Sequence, residues 1–309
     1  MRDFRFSFNV RGVENRETFE QRCRSAQQQG YDTVFAADHL GLPAPFPLLV
    51  AASAATERLR VGTLVLNAAF WNPALLAREV ATTDVLTGGR LEVGLGAGHM
   101  KWEFDEAGID WQPFGTRAEA LRTMISELGR FFQADFPALP EGVTPPRPVQ
   151  RHGFGGTGPP LIVGGTGDRI LRIAAEHADI VSVAGVYQLK GQPPGTFRLG
   201  TAAQALERVR FTRDCAGARA AEIEWHLLVQ AVVETRDRRA AAKELIEKFG
   251  ISLDLTVEEG LETPFLLIGT AEEMAGQLHD HRERYGFSYL TVHEPFRETF
   301  APVIELLRR

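Results

Sequence analysis

Residues 34–43, VFAADHLGLP, run from a strand pattern directly into an acid and an imidazole, Asp38 and His39. An imidazole can donate or accept a proton near neutral pH, and a neighbouring carboxylate can fix which ring nitrogen carries it. The same pair also has a local reading, in which Asp38 caps the loop and His39 packs. A second imidazole, His99, closes the glycine-rich run GLGAGH. The turn VGGTGD, with Gly164, Gly165 and Thr166, precedes a helical pattern. Free N–H groups at such a helix start can receive an anion, and glycine lets a ligand approach the backbone; a plain tight turn is the alternative. His177, in AAEHAD, falls at a helix end, where an imidazolium would suit the dipole.

These residues need elements to hold them. Strand patterns begin near Phe4, Asp32, Leu59, Leu91, Pro160, Asp179, Glu222 and Phe287, with helical patterns between them. The stretch LRVGTLVLNAAF reads as one strand, as does EIEWHLLVQAVVE, and Arg117 to Phe132 has helical spacing of its apolar residues. Alternation of this kind requires a parallel sheet with right-handed crossovers, and eight units match a closed (β/α)8 TIM barrel. A doubly wound open sheet is the runner-up, but its dinucleotide form needs a GxGxxG turn after the first strand, and FNVRGVENRE has none. The chain is therefore read as one barrel domain over 1–309, with insertion loops near 135–160, 185–201 and 250–263. The first of these is rich in Pro and Gly and would rise over the C-terminal face.

Composition excludes other classes. The 309 residues are 44% hydrophobic and 24% charged with a net charge of -6, which gives no general attraction to nucleic acid or an anionic membrane. No apolar run is long enough to span a bilayer, and the N-terminus lacks a signal-peptide pattern. Cys23 and Cys215 lie far apart in no metal or redox spacing, which fits a cytoplasmic location and two plain thiols. HExxH, GxSxG and GxxxxGK[ST] are absent, and the eight histidines form no ligand cluster, so no metal is expected. The acids Glu103 and Glu106 read as the solvated face of a loop or short helix.

In a barrel, chemistry belongs where the strands end. There the sequence places Asp38 and His39; Asn67, Phe70 and Trp71; Ala97, Gly98 and His99; Gly164, Gly165 and Thr166; Tyr187; and His293 with Glu294. Two imidazoles, several aromatics and two glycine-rich turns suit a flat, phosphate-bearing cofactor.

GYDTVFAADHL, the run from LRVGTLVLNAAF to GLGAGHMKWEF, FGTRAEAL and PLIVGGTGDRILRIAAEHADIVSV resemble, in order and spacing, the bacterial luciferase-like flavin and deazaflavin oxidoreductases. The resemblance covers most of the chain and extends through LLIGTAEEMAGQLHDHRERYGFSYLTV. It implies a barrel with the cofactor at its mouth, and GLGAGHMKWEFDEAGI is most similar to members that use coenzyme F420. It further implies His39 as proton donor or acceptor; His99, by its place at a strand end and not by the resemblance, is read as a second acid or base. A non-prolyl cis peptide behind the ring is implied at Leu64 to Val65. Asp38, Asn67, Ala97, Gly98, Gly164, Gly165 and Thr166 match cofactor-lining positions, and Phe70, Trp71, Trp102, Tyr187 and Phe154 would roof the substrate. Relative to the family's sugar-phosphate dehydrogenases, His99 stands where they have a catalytic Glu and Trp102 where they have Asn. Their phosphate-binding lysines have no clear match, with Lys190 the one residue considered.

The leading expectation is F420-dependent hydride transfer to or from a small organic substrate. Within the same superfamily the rival is an FMN-dependent two-component monooxygenase served by a separate reductase. Outside it stand a non-redox phosphate-binding lyase or isomerase and a non-catalytic cofactor-binding protein. A homodimer is implied by the resemblance alone.

Overall fold

The computed structural model describes residues 2–133, 140–149, 158–249 and 254–309. The N-terminal half contains β1 (Arg5–Asn9), α1 (Arg16–Gln28), β2 (Thr33–Ala36), α2 (Pro45–Ala54), β3 (Arg60–Thr63), β4 (Leu66–Asn67), α3 (Pro73–Leu86), β5 (Leu91–Gly96), α4 (Lys101–Glu106) and α5 (Phe114–Gln133). Next come β6 (Leu161–Gly165), α6 (Asp168–His177), β7 (Ile180–Val183), β8 (Val186–Gln188), β9 (Phe197–Leu199) and α7 (Ala202–Ala216). The chain continues with β10 (Glu224–Val229), β11 (Ala231–Glu234), α8 (Arg238–Phe249), α9 (Val257–Glu262), β12 (Leu266–Gly269), α10 (Ala271–Tyr285), β13 (Phe287–His293) and α11 (Arg297–Leu307).

The barrel strands run in the order β3, β2, β1, β13, β10, β7, β6, β5, and a β3–β5 pairing closes the ring. Its neighbouring strands are parallel, so the expected (β/α)8 barrel is the observed fold. Helix starts are set locally. Asn72 caps α3 and Thr201 closes a capping box on α7, each satisfying N–H groups that the first turn leaves free.

Three elements differ from the sequence reading. The long third strand is broken at the Leu64–Val65 peptide, which is cis as the resemblance implied, and the chain resumes as β4 against β5 alone. Gly94 permits this crossing, because a Cβ there would stand 2.1 Å from the Thr63 carbonyl oxygen. The stretch around 224–234 is also two strands. At Gln230 the backbone N–H turns to the Phe265 carbonyl, and β11 leaves the ring to pair with β12. Finally, the loop from Tyr187 to Gly200 holds the antiparallel hairpin β8–β9.

Inside the barrel, alternation along the strands builds three polar layers. At the N-terminal end, Arg5 reaches Glu92 and Glu224, Arg60 bonds Glu92 at 2.6 Å, and Tyr289 donates to Glu92 at 3.0 Å. In the middle layer His226 bridges Ser182 at 2.8 Å and Thr291 at 2.6 Å, with Ser7 on Thr291. The uppermost layer places Asn9, His293 and Gln230 at the mouth. Such a polar interior departs from the branched apolar layers usual in this architecture. Phe6 and Phe8 point the other way, packing on Phe300 and Tyr31 under the helices. Among the described residues no helix is long and apolar enough to cross a membrane.

Candidate active site

His39 lies at the mouth, just past β2, with its side chain 33% exposed. Its Nδ1 is 2.8 Å from the Glu103 carboxylate, which is almost wholly buried. A carboxylate only accepts, so in the neutral imidazole the proton sits on Nδ1 and Nε2 keeps a free lone pair. Glu103 projects inward from α4, beside the buried Phe104. The expectation that Glu103 belongs to a solvated face is thus corrected, whereas Glu106 is exposed. The signal was present in KWEFDE: on a short helix with one buried face, adjacent Glu103 and Phe104 both turn inward.

Asp38 does not orient His39. Its Oδ2 accepts the Trp71 indole N–H at 2.9 Å and the Asn67 backbone N–H at 3.2 Å. The acid therefore ties the broken third strand to the end of β2. Trp71, expected in the substrate pocket, is used as this tie, and its ring meets Phe46 edge-on at 5.5 Å.

His99 stands edge-to-face with His39 at 5.4 Å and with Phe197 of β9 at the same separation. Desolvation by its neighbours, then His39 and Arg117, lower its pKa. His99 is exposed at the mouth, so solvent moderates that desolvation. His99 is thereby biased toward the neutral imidazole. Behind it, Arg117 donates to the Ala97 and Gly98 carbonyls and lies 3.6 Å above the Trp111 ring. No carboxylate pairs with Arg117 among the described residues, and burial lowers its pKa.

The glycine side of the mouth is tightly built. Gly98 has φ +73°, and a Cβ there would meet the Asn67 amide at 2.6 Å and Phe104 at 2.8 Å. Asn67 Oδ1 caps Ala69, while its Nδ2 is buried with no partner, an orphaned donor. Val65 packs against Gly96, and Leu64 joins the interior cluster of Phe35, Ile162, Ile180 and Tyr289. Ala97 is buried with its carbonyl turned to Arg117.

At the turn after β6, Gly164 faces Ser182, Gly165 abuts Ile170, and Thr166 Oγ1 is buried without a partner. Asp168 occupies the first turn of α6 and pairs with Arg208 at 2.5 Å, so an acid and a base already flank this helix start. His177 at the other end is pushed down by burial, so the expected dipole-stabilised imidazolium is not what its surroundings favour.

Of the remaining aromatics, Phe70 packs on Phe104 at 5.5 Å, Tyr187 lies under Arg198 on the hairpin, and Trp102 is half exposed on α4. Lys190 is exposed between β8 and β9. Phe154 and half of the 135–160 loop lie outside the described residues, as does the start of the 250–263 loop. Among the described residues no group of three or more His, Cys, Asp or Glu could hold a metal.

Fold and site together define a closed parallel barrel with an imidazole–carboxylate pair and a glycine-lined wall at its C-terminal mouth. The chain belongs to the luciferase-like monooxygenase family, whose model matches residues 7–261. It is 30% identical over 142 residues to the oxygenase component of a flavin-dependent trigonelline monooxygenase from Acinetobacter baylyi, a match covering 42% of this chain and 39% of that protein. It is 27% identical over 319 aligned residues to an F420-dependent glucose-6-phosphate dehydrogenase from Intrasporangium calvum, covering 91% of this chain and 89% of that one. Among solved structures, an F420-dependent secondary alcohol dehydrogenase in complex with an F420-acetone adduct shares the fold at a TM-score of 0.72, with 16% identity over 98% of this chain and 99% of that one.

Proposed function

We propose that this protein is an F420-dependent oxidoreductase in which His39, held by Glu103, manages the proton that accompanies hydride transfer. The observation that carries the reading is the 2.8 Å contact between His39 Nδ1 and a buried carboxylate, which leaves Nε2 free at the mouth. The choice of F420 is supported by similarity to an F420-dependent dehydrogenase along nearly the whole chain.

The residues fit a flat ring system. Asn67 Nδ2 is a buried donor without a protein partner, Thr166 Oγ1 is another orphan, and Gly94, Gly96 and Gly98 let Thr63, Val65 and Asn67 close against the β5 side of the mouth. When bound, the deazaflavin supplies a carbon centre that gives or takes a hydride. The protein supplies orientation, water exclusion and the proton. The single free lone pair on His39 Nε2 takes the proton when substrate is oxidised and returns it when substrate is reduced. Glu103 keeps its charge against Nδ1 and so holds the ring in place as that proton moves. Desolvation, then His39 and Arg117, disfavours protonation of His99, so His39 is given the acid–base role.

A second reading, FMN-dependent monooxygenation, is favoured by the 30% match to the trigonelline enzyme. Titration of the purified protein with F420 and, separately, FMN, followed by tryptophan quenching, decides between them. Tight F420 binding with FMN at least about tenfold weaker is expected. The reverse order would favour the monooxygenase reading, and binding of neither would return the non-redox classes.

A further inference from the structure

The cofactor reading uses one side of the mouth only. Around the ring, β5 stands diametrically across from β13, and β6 across from β1. On that opposite wall His293 Nδ1 lies 3.1 Å from the Asn9 side-chain oxygen, and His293 Nε2 lies 3.2 Å from the Gln230 side-chain oxygen. A neutral imidazole has one donor and one acceptor, so it cannot donate to both oxygens; one amide must present its NH2 instead. Burial, then Arg11, pushes the His293 pKa down to about 4, which keeps the imidazole neutral.

The three side chains therefore form an uncharged chain of amide, imidazole and amide with hydrogen-bonding capacity left over. With one amide turned to donate to the ring, its oxygen and the other amide's nitrogen are left without a protein partner, and Asn9 and Gln230 are both part-exposed. The neighbouring acid, Glu294, is already engaged by Arg22 and by the Arg11 backbone N–H.

We propose that Asn9, His293 and Gln230 form the substrate-binding floor of the mouth, and that it takes an uncharged hydroxyl- or carbonyl-bearing group. The assignment of that group as the hydride donor or acceptor rests on the function proposed above; the binding floor itself does not. Mixed donors and acceptors with no fixed charge complement a hydroxyl or carbonyl, whereas a carboxylate or phosphate would lose hydration without a counter-charge inside the cluster. Arg11, exposed at the edge, is the group that an anion would recruit instead.

The test uses full-length protein labelled with 15N-histidine, with the His293 ring signal identified by its loss in His293→Asn. Hydroxyacetone is titrated as the uncharged probe and pyruvate as its carboxylate counterpart, with and without F420. A saturable shift of the His293 signal with hydroxyacetone, and none with pyruvate, is expected. Asn9→Ala and Gln230→Ala should each weaken the response about five- to tenfold, the loss of one neutral hydrogen bond. No saturable shift with hydroxyacetone, a stronger response to pyruvate, or unchanged affinity in both variants would overturn the proposal. The wild-type titrations decide the matter even if a variant fails to fold. A response to hydroxyacetone in protein that does not bind F420 would keep the floor and remove the hydride-transfer reading.

Discussion

The two ends of the barrel interior treat polar groups in opposite ways. At the N-terminal end, Arg5 and Arg60 converge on the fully buried Glu92, and Arg5 also holds Glu224; the charges answer one another. Burial opposes ionisation of Glu92, but the two guanidinium groups outweigh it and hold its pKa at about 2. At the mouth the polar groups are incompletely used. Nε2 of His39 has no partner among the described residues, Asn67 Nδ2 is an orphan, and the amides beside His293 keep spare capacity. A closed ion network is suited to holding strands together, and unspent hydrogen-bonding capacity is suited to a ligand. The comparison separates residues that should govern stability from those that should govern turnover.

The largest effects should come from breaking each end at its centre. Glu92→Ala removes the buried carboxylate that the part-buried Arg5 and Arg60 share, at a cost of about 3 to 5 kcal/mol in urea unfolding. The folded fraction should retain its turnover. Lost turnover at unchanged stability would show that the bottom network belongs to the site.

At the mouth, His39→Ala should lower turnover about 10²- to 10⁴-fold with little change in F420 affinity. Glu103→Leu should lower it less, and 15N spectra of His39 should show the Nδ1–H tautomer giving way to a mixture. A single tautomer in Glu103→Leu would mean that Glu103 only packs.

Acid should then reveal the interior in two stages. Burial holds His226 and His281 down to about 3 and about 4, so the folded chain leaves them neutral while the unfolded chain protonates them near 6.5. Their contribution is full above pH 6.5 and falls as pH drops toward 4, by up to about 1.4 kcal/mol per pH unit for each. Glu92, also depressed, keeps its contribution until the unfolded carboxylate protonates near 4.5, and loses it toward pH 2. His226→Gln should flatten the upper stage and Glu92→Gln the lower one. A His226→Gln slope equal to wild type between pH 6 and 4 would contradict a neutral buried His226.

Local patterns made most of the barrel legible before any coordinates. The eight strand starts follow from apolar runs bounded by Gly, Pro and Asp, and α10 carried a readable capping box in Thr270 and Glu273 although the strand β12 ahead of it was not assigned. The site was legible only as far as residue type at a strand end. His39 follows β2 and Gly98 follows β5, which sequence order alone conveys. The partner of His39 is 64 residues away in sequence, and proximity in sequence suggested Asp38 instead. Asp38 was claimed by Trp71 and Asn67 because the third strand breaks where it does.

The sequence by itself determined the alternation of strands and helices, hence a parallel barrel, and with it the end at which chemistry gathers. It also carried the family through the order and spacing of its motifs. Only the tertiary structure decided which acid meets which imidazole, that Glu103 is buried, and that Asn9, Gln230 and His293 share one wall. Periodicity is encoded between neighbours a few residues apart, whereas pairings across the mouth depend on ring closure, which brings together side chains separated by up to 284 positions.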